Sequence, residues 1–65
     1  MKVRHMPRHL ILTLMKQKRV RGLDVAAKTN PPTSQATVAR VIARKDVVRD
    51  ELREEVWRVL EEELS

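Results

Sequence analysis

Gln35, Ala36, Ala39 and Arg40 are the residues of this chain whose types and spacing best suit the edges of nucleic-acid bases. A glutamine amide can pair two ways with adenine. A guanidinium can bridge the two major-groove acceptors of guanine, and an alanine methyl can touch that of thymine while letting the backbone come close. The four share one helical face, opposite an apolar stripe of Val38, Val41 and Ile42 at i, i+3 and i+4. That outer face is uncharged at its start, small in its middle and carries one long cation, whereas a merely solvated face is usually richer in Glu and Lys. Thr33, Ser34 and Thr37 supply short hydroxyls suited to phosphate oxygens, as are the free N–H groups of a helix start. Lys28, Arg44 and Lys45 fall where flanking phosphates would lie.

Other chemistry is thin. With no Cys or Tyr, a single Gly and two His, the chain has neither a thiolate site nor a glycine-rich phosphate loop. His5 and His9 stand four apart, a spacing that two metal ligands can use, but no third ligand is evident. The Glu61-Glu62-Glu63 run reads as a solvated face rather than as general acids. The expectation is a protein that is not an enzyme and uses no cofactor or metal.

Four helices are needed to position the outer face of residues 35–40. Pro7 is a good first helical residue, since its missing N–H is not needed there. Leu10, Ile11, Leu14 and Met15 then make a broad apolar face, predicting a helix near 7–18. A basic connection from Arg19 leads to Gly22, a residue that permits turns others resist. A short helix near 23–29 follows, with Leu23, Ala26 and Ala27 as a small-residue packing face. Asn30-Pro31-Pro32 ends it, because the residue before a proline is pushed out of the α region. Thr33 and Ser34 mark the start of a helix near 34–44. Of Val47 and Val48, at least one should tuck inward. A last helix near 50–63 opens on Asp50 and Glu51, which favour a helix N-terminus. It carries Leu52, Val56, Val59, Leu60 and Leu64 in an amphipathic pattern, with Trp57 at the core edge. Residues 1–6 are expected to be a flexible basic arm.

The 65-residue chain has room for one domain, so residues 1–65 read as a single all-α unit. The net charge of +5 conceals an asymmetry. Residues 1–45 hold eleven Lys and Arg against Asp24 alone, and residues 46–65 hold three Arg against eight acids. That distribution predicts a polyanion partner for the first part and a free or protein-facing second part. The longest apolar run, Leu10-Ile11-Leu12, is far too short to span a bilayer, so no membrane partner is expected and a cytoplasmic, nucleoid-associated location is.

A short helix, a tight turn and a second helix form a helix-turn-helix arrangement. Asp24-Val25-Ala26, then Ser34-Gln35-Ala36-Thr37-Val38-Ala39-Arg40-Val41-Ile42, then Lys45-Asp46, Val48, Glu51, Arg53, Val56 and Leu60-Glu61, resembles the DNA-binding headpiece of LacI-type repressors. The resemblance covers residues 23 to about 64 and is most specific from Ser34 to Ile42. It implies a four-helix lambda-repressor-like domain that reads DNA with the helix near 34–44. By position Gln35, Ala36 and Arg40 match base-contacting residues, and Ser34 and Thr37 match phosphate or groove contacts. The chain departs from the pattern in several places: the turn from Asn30 to Thr33 is about two residues longer, Lys28 replaces an apolar residue, Ala39 replaces Ser, and Arg49 stands at a Ser cap. The helix near 7–18 is extra and is more like small phage repressors of the Cro type and Ner-like regulators.

The resulting expectation is sequence-specific binding of double-stranded DNA by a small transcriptional regulator of phage or mobile-element type. Bases would meet Gln35, Ala36, Ala39 and Arg40, and phosphates would meet Lys28, Thr33, Ser34, Thr37, Arg44 and Lys45. The chain ends at Ser65 without the hinge helix and effector domain of LacI-type repressors, so no small-molecule effector is expected. Homodimerisation would suit a contact this small, through the last helix with Trp57 and Leu64 or through the first. A rival reading is a helical protein-interaction module that uses the acidic C-terminal helix. Binding of RNA or single strands is weaker still, since it normally relies on aromatic stacking platforms and Trp57 stands alone.

Overall fold

A computed structural model describes residues 2–65. The chain is all-helical: a 3-10 turn over Val3–His5, then α1 (Arg8–Gln17), α2 (Gly22–Lys28), α3 (Gln35–Ile42) and α4 (Asp50–Leu64), with no strand among the described residues. α2 and α3 form the most closely packed pair. α4 lies across both and also covers the N-terminal turn. α1 reaches the core mainly through Ile11 and Met15, which are buried.

The core is aliphatic. Val25 and Ala26 of α2 meet Val38, Val41 and Ile42 of α3, and the α4 row Val56, Val59, Leu60 and Leu64 closes over them with Trp57. The apolar stripe expected of α3 is therefore its inner face. Val48 tucks in while Val47 stays 74% exposed, so one of that pair is buried. Trp57 is buried too, as a core-edge residue should be.

Several local expectations need correction. Pro7 is not the first helical residue of α1; it is the N-cap, and its carbonyl accepts the N–H groups of Leu10 and Ile11. Of the face expected for the short second helix, Ala26 is buried, but Leu23 and Ala27 are not. Leu23 is 60% exposed, and Val25, Ala26 and Thr29 are the buried residues. The β-branched pair Val25 and Thr29 sits four apart and, with Ala26, makes the inner row. The residues expected to form a loose basic arm are docked instead. Val3 is buried, and the Arg4 N–H donates to a Glu61 carboxylate oxygen of α4 at 3.3 Å. Burial of one β-branched side chain outweighs the solvation of its basic neighbours; Met1 lies outside the described residues.

Both α1 and α3 end the same way. After α1, Arg19 takes a left-handed φ of 56°, the Arg19 N–H donates to the Lys16 carbonyl, and the Val20 N–H donates to that of Met15. After α3, Arg44 takes φ 59°, the Arg44 N–H donates to the Val41 carbonyl, and the Lys45 N–H donates to that of Arg40. These are Schellman endings, which satisfy otherwise orphaned helix carbonyls and usually place glycine in the left-handed position. α3 therefore stops at Ile42, with Ala43 as its cap, rather than running on to residue 44.

Candidate nucleic-acid interface

The link between α2 and α3 sets the position of the candidate face. Thr29 is buried, and its hydroxyl donates toward the carbonyls of Ala26 at 2.8 Å and Pro31 at 3.0 Å. The Thr33 N–H donates to the Ala26 carbonyl at 3.0 Å. The turn is thus tied back to the end of α2, and Thr33 is half-buried within it. Ser34 then caps α3: its hydroxyl oxygen accepts the Thr37 N–H at 3.3 Å and lies 3.0 Å from the Thr37 hydroxyl. This is the cap that the Thr33-Ser34 pair predicts. It also means that the Ser34 and Thr37 hydroxyls hydrogen-bond each other.

With Val38, Val41 and Ile42 buried, α3 turns Gln35, Ala36, Ala39 and Arg40 outward, and all four are exposed. Arg40 is the only charged residue of α3, and its guanidinium makes no ion pair among the described residues. At the start of the face, a Cβ placed on Gly22 would lie 3.2 Å from Gln35 Cγ. Gly22 has no positive φ, so it is not there to make a turn. Its missing side chain lets the first turn of α2 pack against the stem of Gln35. Sequence reasoning gave Gly22 a conformational role because the residue that needs left-handed backbone in this connection, Arg19, is not of the type usually found there.

The three flanking cations differ in fate. Lys45 is exposed and outside every ion pair of the described residues. Lys28 is paired with Glu63 of α4. That hydrogen bond, and the attraction of the same carboxylate, raise its pKa above the usual lysine value. Arg44 turns inward. Its guanidinium donates to the backbone carbonyls of Arg4 at 3.0 Å, Met6 at 2.5 Å and Ile42 at 3.3 Å, and it stacks 5.7 Å from the centre of the Trp57 ring. It fastens the N-terminal turn to the end of α3, so its hydrogen-bond donors are already engaged within the chain. No sequence pattern announced this, because two of the three carbonyls it reaches, those of Arg4 and Met6, lie 40 and 38 positions away.

The acidic end of the chain is largely spent within the fold. Glu54 pairs with Arg4 at 2.8 Å and Asp50 with Arg53 at 2.9 Å, while Arg58 joins Glu55 and Glu62. His5 lies in the 3-10 turn and His9 in α1, so the two do not share one helix face. No helix among the described residues is long and apolar enough to cross a membrane. No protein-family model, curated protein or solved structure matches this chain.

Proposed function

We propose that this chain is a sequence-specific double-stranded DNA-binding domain of the helix-turn-helix, lambda-repressor-like kind, acting as a small transcriptional regulator. α3 lies in the major groove, with Gln35, Ala36, Ala39 and Arg40 toward base edges. Lys45 and the short hydroxyls around the α3 start lie toward phosphate. The observation that carries this reading is the outer face of α3: four exposed residues, two of them alanines, with one guanidinium in no ion pair among the described residues, on a helix whose other face is buried. A helix presented this way fits the width of the major groove, and small side chains let it enter. The similarity of residues 34–42 to the LacI-type recognition segment supports the same assignment.

Charge supports it too. Most acids of α4 are neutralised by cations of the same chain, whereas Arg8, Lys16, Lys18, Arg19, Arg21, Arg40 and Lys45 enter no ion pair among the described residues. That leaves a basic surface for a polyanion and weakens the rival reading of the acidic helix as a docking element. The test is to titrate the full chain with a random duplex pool and with sequences enriched from it, at several salt concentrations. The enriched sequences should bind more tightly than the pool, and both affinities should fall as salt rises, because each neutralised phosphate releases counterions. Absence of duplex binding at low salt would overturn the proposal.

A further inference from the structure

The end of α1 and the start of α2 enclose an open hollow of ≈ 550 Å³ lined by Leu12, Met15, Lys16, Arg19, Val20 and Arg21. Its floor is aliphatic, and Leu12 is 40% exposed there. Its rim is three cations, with no acid among the lining residues, and none of the three is in an ion pair among the described residues. One rim residue is also out of place for the fold. Arg19 holds a left-handed φ of 56°, where glycine would sit without strain. Arg44 occupies the same backbone state, but its side chain fastens three carbonyls and Trp57; Arg19 has no such internal use. The backbone state closes the end of α1, a task glycine would perform with less strain, so it is the cationic side chain at this position that the fold leaves without a use.

We propose that this hollow docks an acidic amphipathic helix from another protein, with its aliphatic side chains on Leu12, Met15 and Val20 and its carboxylates on Lys16, Arg19 and Arg21. Charge complementarity selects this occupant. A two-fold contact with a second copy through this face would set two cationic rims against each other. The chain's own acidic helix is no substitute, because Val56, Trp57, Val59, Leu60 and Leu64 of α4 are already buried in its own core. A phosphodiester backbone would meet the cations but leave the aliphatic floor wet. The proposal rests on a surface other than the outer face of α3; it assigns Lys16, Arg19 and Arg21 to this partner and leaves Arg8, Lys18, Arg40 and Lys45, in no ion pair among the described residues, as the cations for DNA.

The test uses the isotope-labelled full chain and a synthetic helical peptide with leucines at i, i+3, i+4 and i+7 flanked by glutamates. A second peptide carries glutamine in place of each glutamate. The acidic peptide should move the backbone resonances of Leu12, Lys16 and Val20, and the glutamine peptide should bind roughly tenfold more weakly. Arg19→Gly should weaken the acidic peptide while raising the thermal midpoint of the chain, a pair of effects that a purely structural arginine would not give. Leu12→Gln, at an exposed position, should weaken binding without altering the fold. The proposal is overturned if the two peptides bind equally or if the shifts fall elsewhere. It is also overturned if Leu12 and Val20 respond to chain concentration alone, which would indicate a second copy, or to duplex DNA.

Discussion

Arg19 and Arg44 are the same residue type in the same left-handed backbone state, a state that costs an L-residue about 1–2 kcal/mol. Replacing either by glycine relieves that cost but adds freedom to the unfolded chain, a loss of about 0.5–1 kcal/mol. Arg19→Gly should therefore gain about 0.5–1 kcal/mol net. Arg44→Gly receives the same relief but loses its charge-assisted hydrogen bonds to the Arg4 and Met6 carbonyls and its contact with Trp57. Such bonds at a partly exposed site contribute about 1–2 kcal/mol in total, so this variant should be neutral to less stable. Urea unfolding of the two variants side by side separates the backbone effect from the side-chain fastening. The emission of Trp57, the only aromatic residue, should change in Arg44→Gly and stay the same in Arg19→Gly. If Arg44→Gly were as stabilised as Arg19→Gly, the fastening would contribute nothing.

The helices themselves were largely legible from the chain. Val38, Val41 and Ile42 announce the inner face of α3 because three β-branched residues at i, i+3 and i+4 have no other use. Ser34 announces its start because a hydroxyl there satisfies a free N–H. Leu23 misled because apolar character alone does not say which way a short helix turns; packing against α3 and α4 selected Val25 and Thr29 instead. Gly22 misled because a missing side chain serves close approach as readily as it serves a turn. The ion pair between α2 and α4 could not be read at all, since Lys28 and Glu63 meet only in the folded chain. That pair has a consequence for binding. A cation already held by a carboxylate releases fewer counterions when it meets phosphate. Lys28→Ala should therefore change duplex affinity and its salt slope less than Lys45→Ala, and Glu63→Gln should strengthen binding to all sequences. The Lys28 pKa is raised by the Glu63 hydrogen bond, so its contribution is in full force below the ordinary lysine value of about 10.4 and fades only as pH climbs through the raised one. Between pH 6 and 8 duplex affinity should accordingly show no titration from this group. Salt slopes for the three variants, measured by fluorescence titration, check the set, and equal losses for Lys28→Ala and Lys45→Ala would count against the pairing.

As a whole, the molecule is small enough that each contact across it counts. A chain of this length buries only about 60% of its unfolded surface, and its core depends on pieces far apart in sequence. Val3 illustrates the point: it is buried although it lies beside the chain start, and Glu61, Glu54 and Arg44 hold its neighbours in place. Val3→Ala should cost about 1.5–2.5 kcal/mol, read as a lower urea midpoint at unchanged slope. A loss within error would mean that the N-terminal turn does not contribute to the folded core in solution. Because Arg44 links that turn to the last residues of α3, the same docking steadies the helix proposed to read DNA. If α3 reads bases, as proposed, Arg40→Ala should show it. Arg40 is exposed and outside every ion pair of the described residues, so its removal should leave the fold intact. The measurement is the affinity of the chain and of Arg40→Ala for an enriched duplex and for a series with each base pair substituted in turn. The variant should lose about 1–3 kcal/mol on the enriched site and become indifferent to the base pair at one position. An unchanged affinity, or an equal loss on every sequence in the series, would contradict the placement of α3 in the groove.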